Sequence, residues 1–312
     1  MVTKRGTDMK RYVSIDIGGT AIKYGVLDEN GNLACRSEMC TEAYKGGASI
    51  LAKAVDIVKQ YYSPGMLDGI CISTAGMVDT KKGEIFHSAS LIPHYAGTRF
   101  KEVMETEFQI PCEVENDVNC AGLAESVSGA SKGCSPSLML TVGTGIGGCI
   151  VVDGKVFHGF SSSACEVGYM HMAGSDFQTL GAASILSRKV AEWKNEPEDI
   201  WNGYHIFEEA KKGDELCIRA IHEMTDVLGQ GIANICYVLN PEIVVLGGGI
   251  MAQEDYLREP IENALKKYLV PGIADCTRIA FAKHKNDAGM LGAFYHFMQR
   301  QGGKAAEYTA VH

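Results

Sequence analysis

Two glycines join two apolar runs near the start of the chain, and this junction restricts the architectures open to it. The segment 15–23 reads IDIGGTAIK, in which an apolar run carrying Asp16 turns through Gly18 and Gly19 into a second apolar run. Glycines let backbone N–H groups approach a ligand with no Cβ in the way. Successive N–H groups in such a turn form a concavity suited to phosphate oxygens. The segment predicts either a plain hairpin or a phosphate-binding turn, and by itself it does not decide between them.

Polar side chains around this turn suit a nucleotide phosphate tail that carries magnesium. Asp16 supplies a negative charge, Thr20 a hydroxyl and Lys23 a cation. Because Mg²⁺ takes few carboxylate contacts and keeps most of its waters, Asp16 is the candidate magnesium contact, through water.

The same strand–glycine turn–strand pattern recurs later in the chain. Residues 137–142 form an apolar run, residues 143–148 a glycine turn, and residues 148–152 a second run. A third glycine cluster follows the apolar run 243–246. Ligands of open α/β sheets bind at the carboxyl ends of strands, so the recurrence favours phosphate binding and predicts an internal duplication with a ligand between the halves. The candidate residues in the later turns are Gly143, Thr144, Gly145, Gly247, Gly248 and Gly249.

The order of predicted elements indicates the fold class and a division into domains. A meander followed by alternating strands and helices predicts a mixed α/β sheet in each half. We expect a small N-terminal α/β domain at residues 1–119 and a larger one at 120–286. The last helix, at about 287–300, is expected to pack back on the first domain.

Composition narrows the functional classes. The 312 residues carry a net charge of −9 and contain no basic run, so a small-molecule partner is expected and a nucleic acid is not. The eleven cysteines include no CxC or CxxC spacing, which argues against a metal cluster and a disulfide scaffold. No run approaches the ~18 apolar residues of a membrane span. We therefore expect a cytoplasmic protein with no membrane partner.

Glu115-Asn116-Asp117-Val118-Asn119 forms a second candidate constellation, at the end of a predicted strand and the start of a predicted helix. Asp117 can be explained as a helix N-cap, because Asn and Asp are preferred there. It can also be explained as a general base that accepts the proton of an attacking alcohol. Phosphate turns on both sides in sequence favour the base.

Taken together, the ordered motifs resemble the ROK family of bacterial sugar kinases. They are DIGGTxxK, AGMVD at 75–79, ENDVNCAGLAE at 115–125, TVGTGIGGCIV at 141–151, CEVGYM at 165–170 and VVLGGG at 244–249. The resemblance runs from about Tyr12 to about Arg300. It implies two actin-like (ribonuclease H-like) α/β domains flanking an ATP/sugar cleft, and a homodimer.

The resemblance also implies roles for individual residues. Asp117 would be the catalytic base, while Asn116 and Glu166 would bind sugar hydroxyls. ATP and Mg²⁺ would lie along the first turn with the second turn opposite, and the third turn would approach the adenosine. The expected reaction is phosphorylation of a hexose hydroxyl, the 6-OH of glucose or a glucoside.

Two departures from the family pattern bear on the substrate. Tyr169 stands where many members have a zinc-binding histidine, and the cysteine cluster is absent, so we predict no zinc site. The loop 88–95 lacks the usual Asn before Leu-Pro. A β-glucoside, fructose or N-acetylmannosamine kinase therefore stays open as an alternative, as does a sugar sensor without catalysis. A repressor and an actin-like ATPase with protein partners fit less well.

Overall fold

The computed structural model describes residues 9–88 and 91–302, and these divide into two compact units. Unit 1 comprises the described residues of Met1–Val127, His158–Ser163 and Asn286–His312. Unit 2 comprises Ser128–Phe157 and Ala164–Lys285. The domain division at residues 119/120 and 286/287 stays a prediction.

A five-stranded mixed sheet forms the centre of unit 1. In chain order, the elements up to residue 128 are β1 (Arg11–Ile17), β2 (Ala21–Asp28), β3 (Leu33–Cys40), α1 (Gly47–Tyr61), β4 (Gly69–Thr74), β5 (Met77–Asp79), β6 (Glu84–His87), α2 (Phe100–Phe108), β7 (Cys112–Asn116) and α3 (Asp117–Ser128). The strand order is β3-β2-β1-β4-β7, with β1, β4 and β7 parallel and the β1–β2–β3 meander antiparallel. The carboxyl ends of three neighbouring strands thus meet at one edge.

Unit 2 repeats this strand order. Its elements are β8 (Ser137–Val142), β9 (Ile146–Val152), β10 (Lys155–Val156), β11 (His171–Met172), β12 (Ser175–Asp176), α4 (Phe177–Gly181), α5 (Ala183–Lys194), α6 (Gly203–Lys211), α7 (Glu215–Leu239), β13 (Ile243–Gly247), α8 (Glu254–Tyr268), α9 (Pro271–Ala274) and β14 (Arg278–Phe281). The sheet runs β10-β9-β8-β13-β14, again with an antiparallel meander followed by parallel strands. The predicted α/β class is confirmed.

The final helix, α10 (Ala288–Gln301), packs on the sheet of unit 1. The ring of Phe294 lies 5.3 Å from that of Tyr12 on β1, in an edge-on arrangement. Ser14 donates a hydrogen bond to the carbonyl of Met290 at 2.8 Å. Apolar burial and a buried polar contact therefore fix the helix on the strand that carries Asp16.

Two local features differ from the sequence-based expectation. The second glycine turn spans only residues 143–145, because β9 begins at Ile146 and incorporates Gly147 and Gly148. Gly148 lies in the strand where the side chain and carbonyl of Cys165 leave no room for a Cβ. The sequence also predicts a third strand near Leu33–Arg36, and the observed β3 extends further, to Cys40.

Each unit has its own hydrophobic core on the sheet faces. In α1 the buried positions Ile50, Ala54, Ile57 and Val58 follow helical spacing, so one stripe of the helix faces the core. Four short 3₁₀ turns complete the described chain, at Ala43–Lys45, Val167–Tyr169, Gly249–Gln253 and Lys285–Asp287. Within 9–88 and 91–302, none of the helices has the length and apolar character needed to cross a membrane.

Candidate active site

The first glycine turn is a tight connection whose backbone is fixed from outside the hairpin. Gly18 donates its N–H to the carbonyl of Ala21 at 3.1 Å. Thr41 holds the other side, because its hydroxyl donates to the Gly18 carbonyl at 2.6 Å and its N–H to the Thr20 carbonyl at 2.9 Å. Gly19 faces the side chain of Leu91, only 2.9 Å from where a Cβ would stand. The turn therefore presents its glycine backbone in a fixed conformation.

Asp16 lies at the carboxyl end of β1, opposite Ser73 on β4 and Lys23 on β2. The Ser73 hydroxyl donates to Asp16 Oδ1 at 2.7 Å. Burial raises the pKa of Asp16, while the Ser73 hydrogen bond and the charge of Lys23 act in the opposite direction. Lys23 Nζ in turn donates to Asn286 Oδ1 at 3.2 Å.

The carboxylate of Asp16 also touches the start of α10. A Cβ added to Gly289 would overlap the carboxylate, so glycine is required there. The first turn of a helix exposes N–H groups without helical partners and carries partial positive charge. Asp16 is thus held between a serine hydroxyl and a helix N-terminus. Ser73 and Gly289 could not be recognised from the sequence, since nothing in the linear pattern joins them to Asp16.

Asn116 and Asp117 occupy the step from β7 to α3, and the structure separates their roles. Asn116 Oδ1 accepts the N–H groups of Val118 at 2.9 Å and Asn119 at 3.0 Å, which makes Asn116 the cap of α3. Its amide donates to the carbonyl of Gly76 and to Asp117 Oδ1, both at 3.0 Å. Asp117 Oδ1 also accepts the Val118 N–H at 2.9 Å. The Asp117 carboxylate is therefore oriented by its neighbour while that neighbour caps the helix.

Thr74 and Tyr95 form a buried polar layer close to this step. The register pairs Thr74 on β4 with Asn116 on β7. The Tyr95 hydroxyl lies 2.5 Å from the hydroxyl of Thr74. Burial raises the pKa of Tyr95, and the charge of Asp117 adds to the rise. Tyr95 ends the loop that departs from the family pattern, of which Ala89 and Ser90 lie outside the described residues.

Glu115, the residue before the Asn116–Asp117 step, is a buried carboxylate for which the sequence suggests no role of its own. Its Oε2 lies 2.6 Å from His158 Nε2 and 3.4 Å from His296 Nδ1. Burial acts to raise the pKa of Glu115, but the His158 hydrogen bond and the two imidazoles outweigh it and the pKa lies below its usual value. Burial lowers the pKa of His296, whose Nε2 finds no hydrogen-bond partner among the described residues. The motif ENDVN marks Glu115, but no sequence signal marks its imidazole partners.

In unit 2 the second and third glycine turns contribute to one cavity of about 440 Å³. Gly143, Thr144 and Gly249, which the sequence predicts as ATP-binding residues, line it, and their role in binding stays a prediction. Ser184, in the first turn of α5, holds the second turn by donating its hydroxyl to the Thr144 carbonyl at 2.7 Å. The further lining residues, which sequence analysis missed, are Ala183, Ser187, Asn202, Gly203, Tyr204, Ile250, Ala252 and Gln253.

The other predicted glycines of unit 2 lie outside the lining of this cavity and have packing roles. A Cβ on Gly247 would overlap the Met139 side chain, and one on Gly248 the backbone of Val142. Gly248 also has φ +100°, a conformation that favours glycine. Gly145 lies beneath the side-chain oxygen of Gln178.

Glu166 stands at the start of the short turn Val167–Tyr169. Two glycines bring this segment close to β9: a Cβ on Gly168 would overlap the Ile146 carbonyl, and Gly148 packs on Cys165. Cys165 has a positive φ of 67°, which is uncommon outside glycine. Burial raises the pKa of the Cys165 thiol to about 12, with a contribution from the charge of Glu166. The backbone next to the half-buried Glu166 is thus tightly packed and strained, which fixes the position of this residue.

In the described part of the chain, no group of three or more His, Cys, Asp or Glu side chains is arranged to hold a metal ion. His171, which follows Tyr169 by two residues, is exposed on β11. The absence of zinc stays a prediction.

Comparison with known proteins identifies the family. An uncharacterised protein of Clostridium perfringens is 49% identical over 93% of this chain and 99% of its own length. A β-glucoside kinase of Klebsiella pneumoniae is 32% identical over 93% of this chain and 96% of its own length. A solved structure from Listeria monocytogenes, provisionally named an N-acetylmannosamine kinase, has a TM-score of 0.84 at 30% identity and covers 93% of this chain and 99% of its own. This likeness confirms the predicted fold class.

The model of the ROK family matches residues 12–300. This range contains every motif on which the sequence resemblance was based, and it covers nearly all of the described residues. The chain therefore belongs to the ROK family.

Proposed function

We propose that this sugar kinase of the ROK family transfers the γ-phosphoryl group of ATP to the 6-OH of glucose or of a glucoside, with Asp117 as general base. The observation that carries the proposal is the geometry of the Asn116–Asp117 step. Because Asn116 caps α3, Asp117 is not needed as the cap, and its carboxylate is held by the Asn116 amide and the Val118 N–H. A carboxylate held in one orientation is what a proton acceptor requires.

In the proposed reaction the acceptor oxygen attacks the γ-phosphorus in line. Its proton passes to the Asp117 carboxylate while the bond between the γ-phosphorus and the ADP oxygen breaks. The backbone N–H groups of the Gly18-Gly19 turn would receive phosphate oxygens, and the Lys23 ammonium would add positive charge. Phosphoryl transfer depends mainly on such positioning and charge stabilisation.

Magnesium suits Asp16 by the chemistry of its surroundings. Ser73 orients one carboxylate oxygen, and burial disfavours the ionised form, which a divalent cation would favour. When bound with ATP, the ion neutralises charge on the phosphate oxygens. Asp16 would hold it through water, since Mg²⁺ retains most of its hydration shell.

The cavity of unit 2 is the proposed site for the nucleoside of ATP. Its volume of about 440 Å³ suits a small-molecule ligand. Tyr204 on α6 offers an aromatic face, and Ser184 and Gln253 offer hydrogen-bonding groups. The Gly143-Thr144 turn would approach the phosphates from this side, and Gly249 the adenosine.

The choice of sugar rests on the relatives and on Glu166. A single carboxylate can accept hydrogen bonds from two neighbouring hydroxyls, which supports Glu166 as a sugar ligand, with Asn116 as a second. The β-glucoside kinase relative supports a glucoside as acceptor, and the Listeria structure supports N-acetylmannosamine as the alternative. Fructose is a further alternative.

The test is release of ADP from Mg·ATP with glucose, fructose, mannose, N-acetylmannosamine and cellobiose, by the wild type and two variants. Asp117→Asn should lower turnover by about 100-fold or more, the lower range for losing a general base, with sugar binding retained by calorimetry. Asp255→Asn is the matched control, since it removes an exposed carboxylate from the first turn of α8 and should leave turnover unchanged. Near-normal turnover in Asp117→Asn would refute the assignment of Asp117 as the general base. Sugar binding without sugar-dependent ADP release in the wild type would make the protein a sensor.

A further inference from the structure

Strand β7 carries two buried carboxylates, Glu113 and Glu115, each of which contacts two basic side chains. Glu113 Oε1 accepts from Lys101 Nζ at 2.9 Å, and Glu115 Oε2 lies 2.6 Å from His158 Nε2. Both carboxylates are at most 2% exposed. Burial of charge is costly, and removing one partner of a buried pair leaves the other charge uncompensated. Both pairs thus lie on the same strand, are buried, and join a carboxylate to a basic side chain. They differ in the segment of the chain that carries the basic side chain.

Lys101 and His158 come from different kinds of segment. Lys101 lies on α2, an ordinary helix of unit 1. His158 begins the segment His158–Ser163, which groups with unit 1 although the residues on both sides of it, up to Phe157 and from Ala164, group with unit 2. We call His158–Ser163 the strap. The chain reaches Glu166, the proposed sugar ligand, three residues after the strap ends.

Glu115 is fixed to the start of α3 through its other oxygen. Its Oε1 accepts the N–H of Asn116 at 2.8 Å and the side-chain amide of Asn119 at 3.0 Å. The carboxylate therefore bonds with one oxygen to the step that carries Asp117 and with the other to the first residue of the strap. A shift of His158 would change the hydrogen bonding of the carboxylate next to that step. Loss of His158 would remove an attachment of the strap to β7.

We propose that His158 is a positioning residue for the sugar acceptor, which acts by attaching the strap to Glu115 beside the Asn116–Asp117 step. This inference rests on the proposed function, because it assigns His158 to the placement of the sugar that Asp117 deprotonates and Glu166 binds. His158 itself need not touch the sugar. Its contribution is to hold the chain leading to Glu166 in the position that the bound sugar requires, so that the ordering is complete before the sugar arrives.

Three variants test the proposal in the full-length protein. His158→Ala removes the hydrogen bond, whereas His158→Gln retains an N–H donor at a similar distance from the backbone. Lys101→Met removes one basic partner of Glu113, which keeps Arg300 at 3.7 Å, just as His158→Ala leaves Glu115 with His296 at 3.4 Å. It therefore serves as the matched control for loss of a buried ion pair on β7. Each is assayed for kcat, for the KM of the sugar and of ATP, and for thermal unfolding, with the best sugar of the panel.

We expect His158→Ala to raise the KM of the sugar about tenfold or more, since small misplacements of binding groups have large effects. The KM of ATP should stay within about twofold, and His158→Gln should recover most of the loss. Lys101→Met should lower the melting temperature to a similar extent and leave the KM of the sugar unchanged. A specific rise in the KM of the sugar that glutamine rescues is not expected from general destabilisation.

The outcomes separate the two levels of the proposal. Equal sugar KM values for His158→Ala and the wild type, or equal rises for His158→Ala and Lys101→Met, would refute the positioning role and leave the kinase intact. A wild type that phosphorylates no sugar would refute the proposed function, and this inference with it.

Discussion

Substitution of Gly289 by alanine tests whether the position of Asp16 matters for activity. Gly289 is the second residue of α10, and a Cβ there would overlap the Asp16 carboxylate. The backbone of Asp16 cannot yield readily, because β1 is paired with β2 on one side and β4 on the other. The helix cannot yield readily either, since Gly292 packs against the Cys120 carbonyl without room for a Cβ. The carboxylate itself must therefore move.

The expected magnitudes follow from these contacts. Overpacking of a well-packed site costs about 1–3 kcal/mol, and the helix preference for alanine over glycine returns about 1 kcal/mol. The free energy of unfolding should therefore fall by only about 0–2 kcal/mol. A carboxylate displaced by about 1 Å, with its Ser73 hydrogen bond weakened, should lower kcat/KM for Mg·ATP by about 100-fold. The loss of activity, equivalent to about 2.7 kcal/mol of activation free energy, should thus exceed the loss of stability.

The assay combines ADP release over a range of Mg²⁺ concentrations with urea unfolding. Gly272→Ala is the control, because Gly272 lies in α9 with open space around the position of a Cβ. That variant should keep full activity and unfold at the same or a slightly higher urea concentration. If Gly289→Ala retains wild-type kcat/KM and magnesium dependence, Asp16 does not need its observed position and the assignment of Asp16 to the magnesium-phosphate site is wrong.

Further predictions concern the cavity proposed for the nucleoside and helix α7. Tyr204→Ala should raise the KM of ATP about fivefold or more, since stacking of a base on an aromatic ring is worth ~1–3 kcal/mol, while the KM of the sugar stays the same; an unchanged KM of ATP would exclude stacking on Tyr204. Asp214 caps α7 by accepting the Cys217 N–H at 3.0 Å, so Asp214→Ala should lower the free energy of unfolding at pH 7 by ~1 kcal/mol in chemical denaturation. The hydrogen bond from Lys194, together with the cap, lowers the pKa of Asp214 from 3.8 to about 2. An acidic group whose pKa is lower in the folded state stabilises that state when the pH is above the pKa of the unfolded state. This contribution is lost as the pH falls through the pKa of the folded state. The difference in free energy of unfolding between wild type and Asp214→Ala should therefore become smaller below about pH 4. A difference that stays constant down to pH 3 would contradict the contribution of the lowered Asp214 pKa to stability.

Much of the fold was accessible from the sequence because it is encoded locally. The glycine turn after β1 and the 25-residue helix α7 follow from backbone freedom at glycine and from apolar spacing over several turns. The repeated strand–turn–strand pattern also predicted two similar sheets, and both have the same strand order. Short elements were missed: the hairpins β5–β6 and β11–β12 have strands of two to four residues, too short for a periodic signal.

At the candidate site, the sequence located the polar residues but not their partners. It offered Asp117 as a helix cap or as a base and favoured the base, and the geometry assigns the cap to Asn116, one residue earlier. That distinction depends on the direction of two side chains at a strand–helix junction, which residue types alone do not specify. The cavity of unit 2 shows the same limit, because Tyr204 lines it together with residues of the second and third glycine turns, although its helix is distant from both in sequence.

The sequence by itself determined the family, the α/β class and the glycine turns, because these depend on residues that are adjacent or regularly spaced along the chain. Tertiary structure alone decided which residues support the proposed catalytic groups. Gly289 meets Asp16, and His158 meets Glu115, across 273 and 43 positions of the chain respectively. Such pairs arise from strand register and from the packing of α10 on its sheet, which no local pattern specifies.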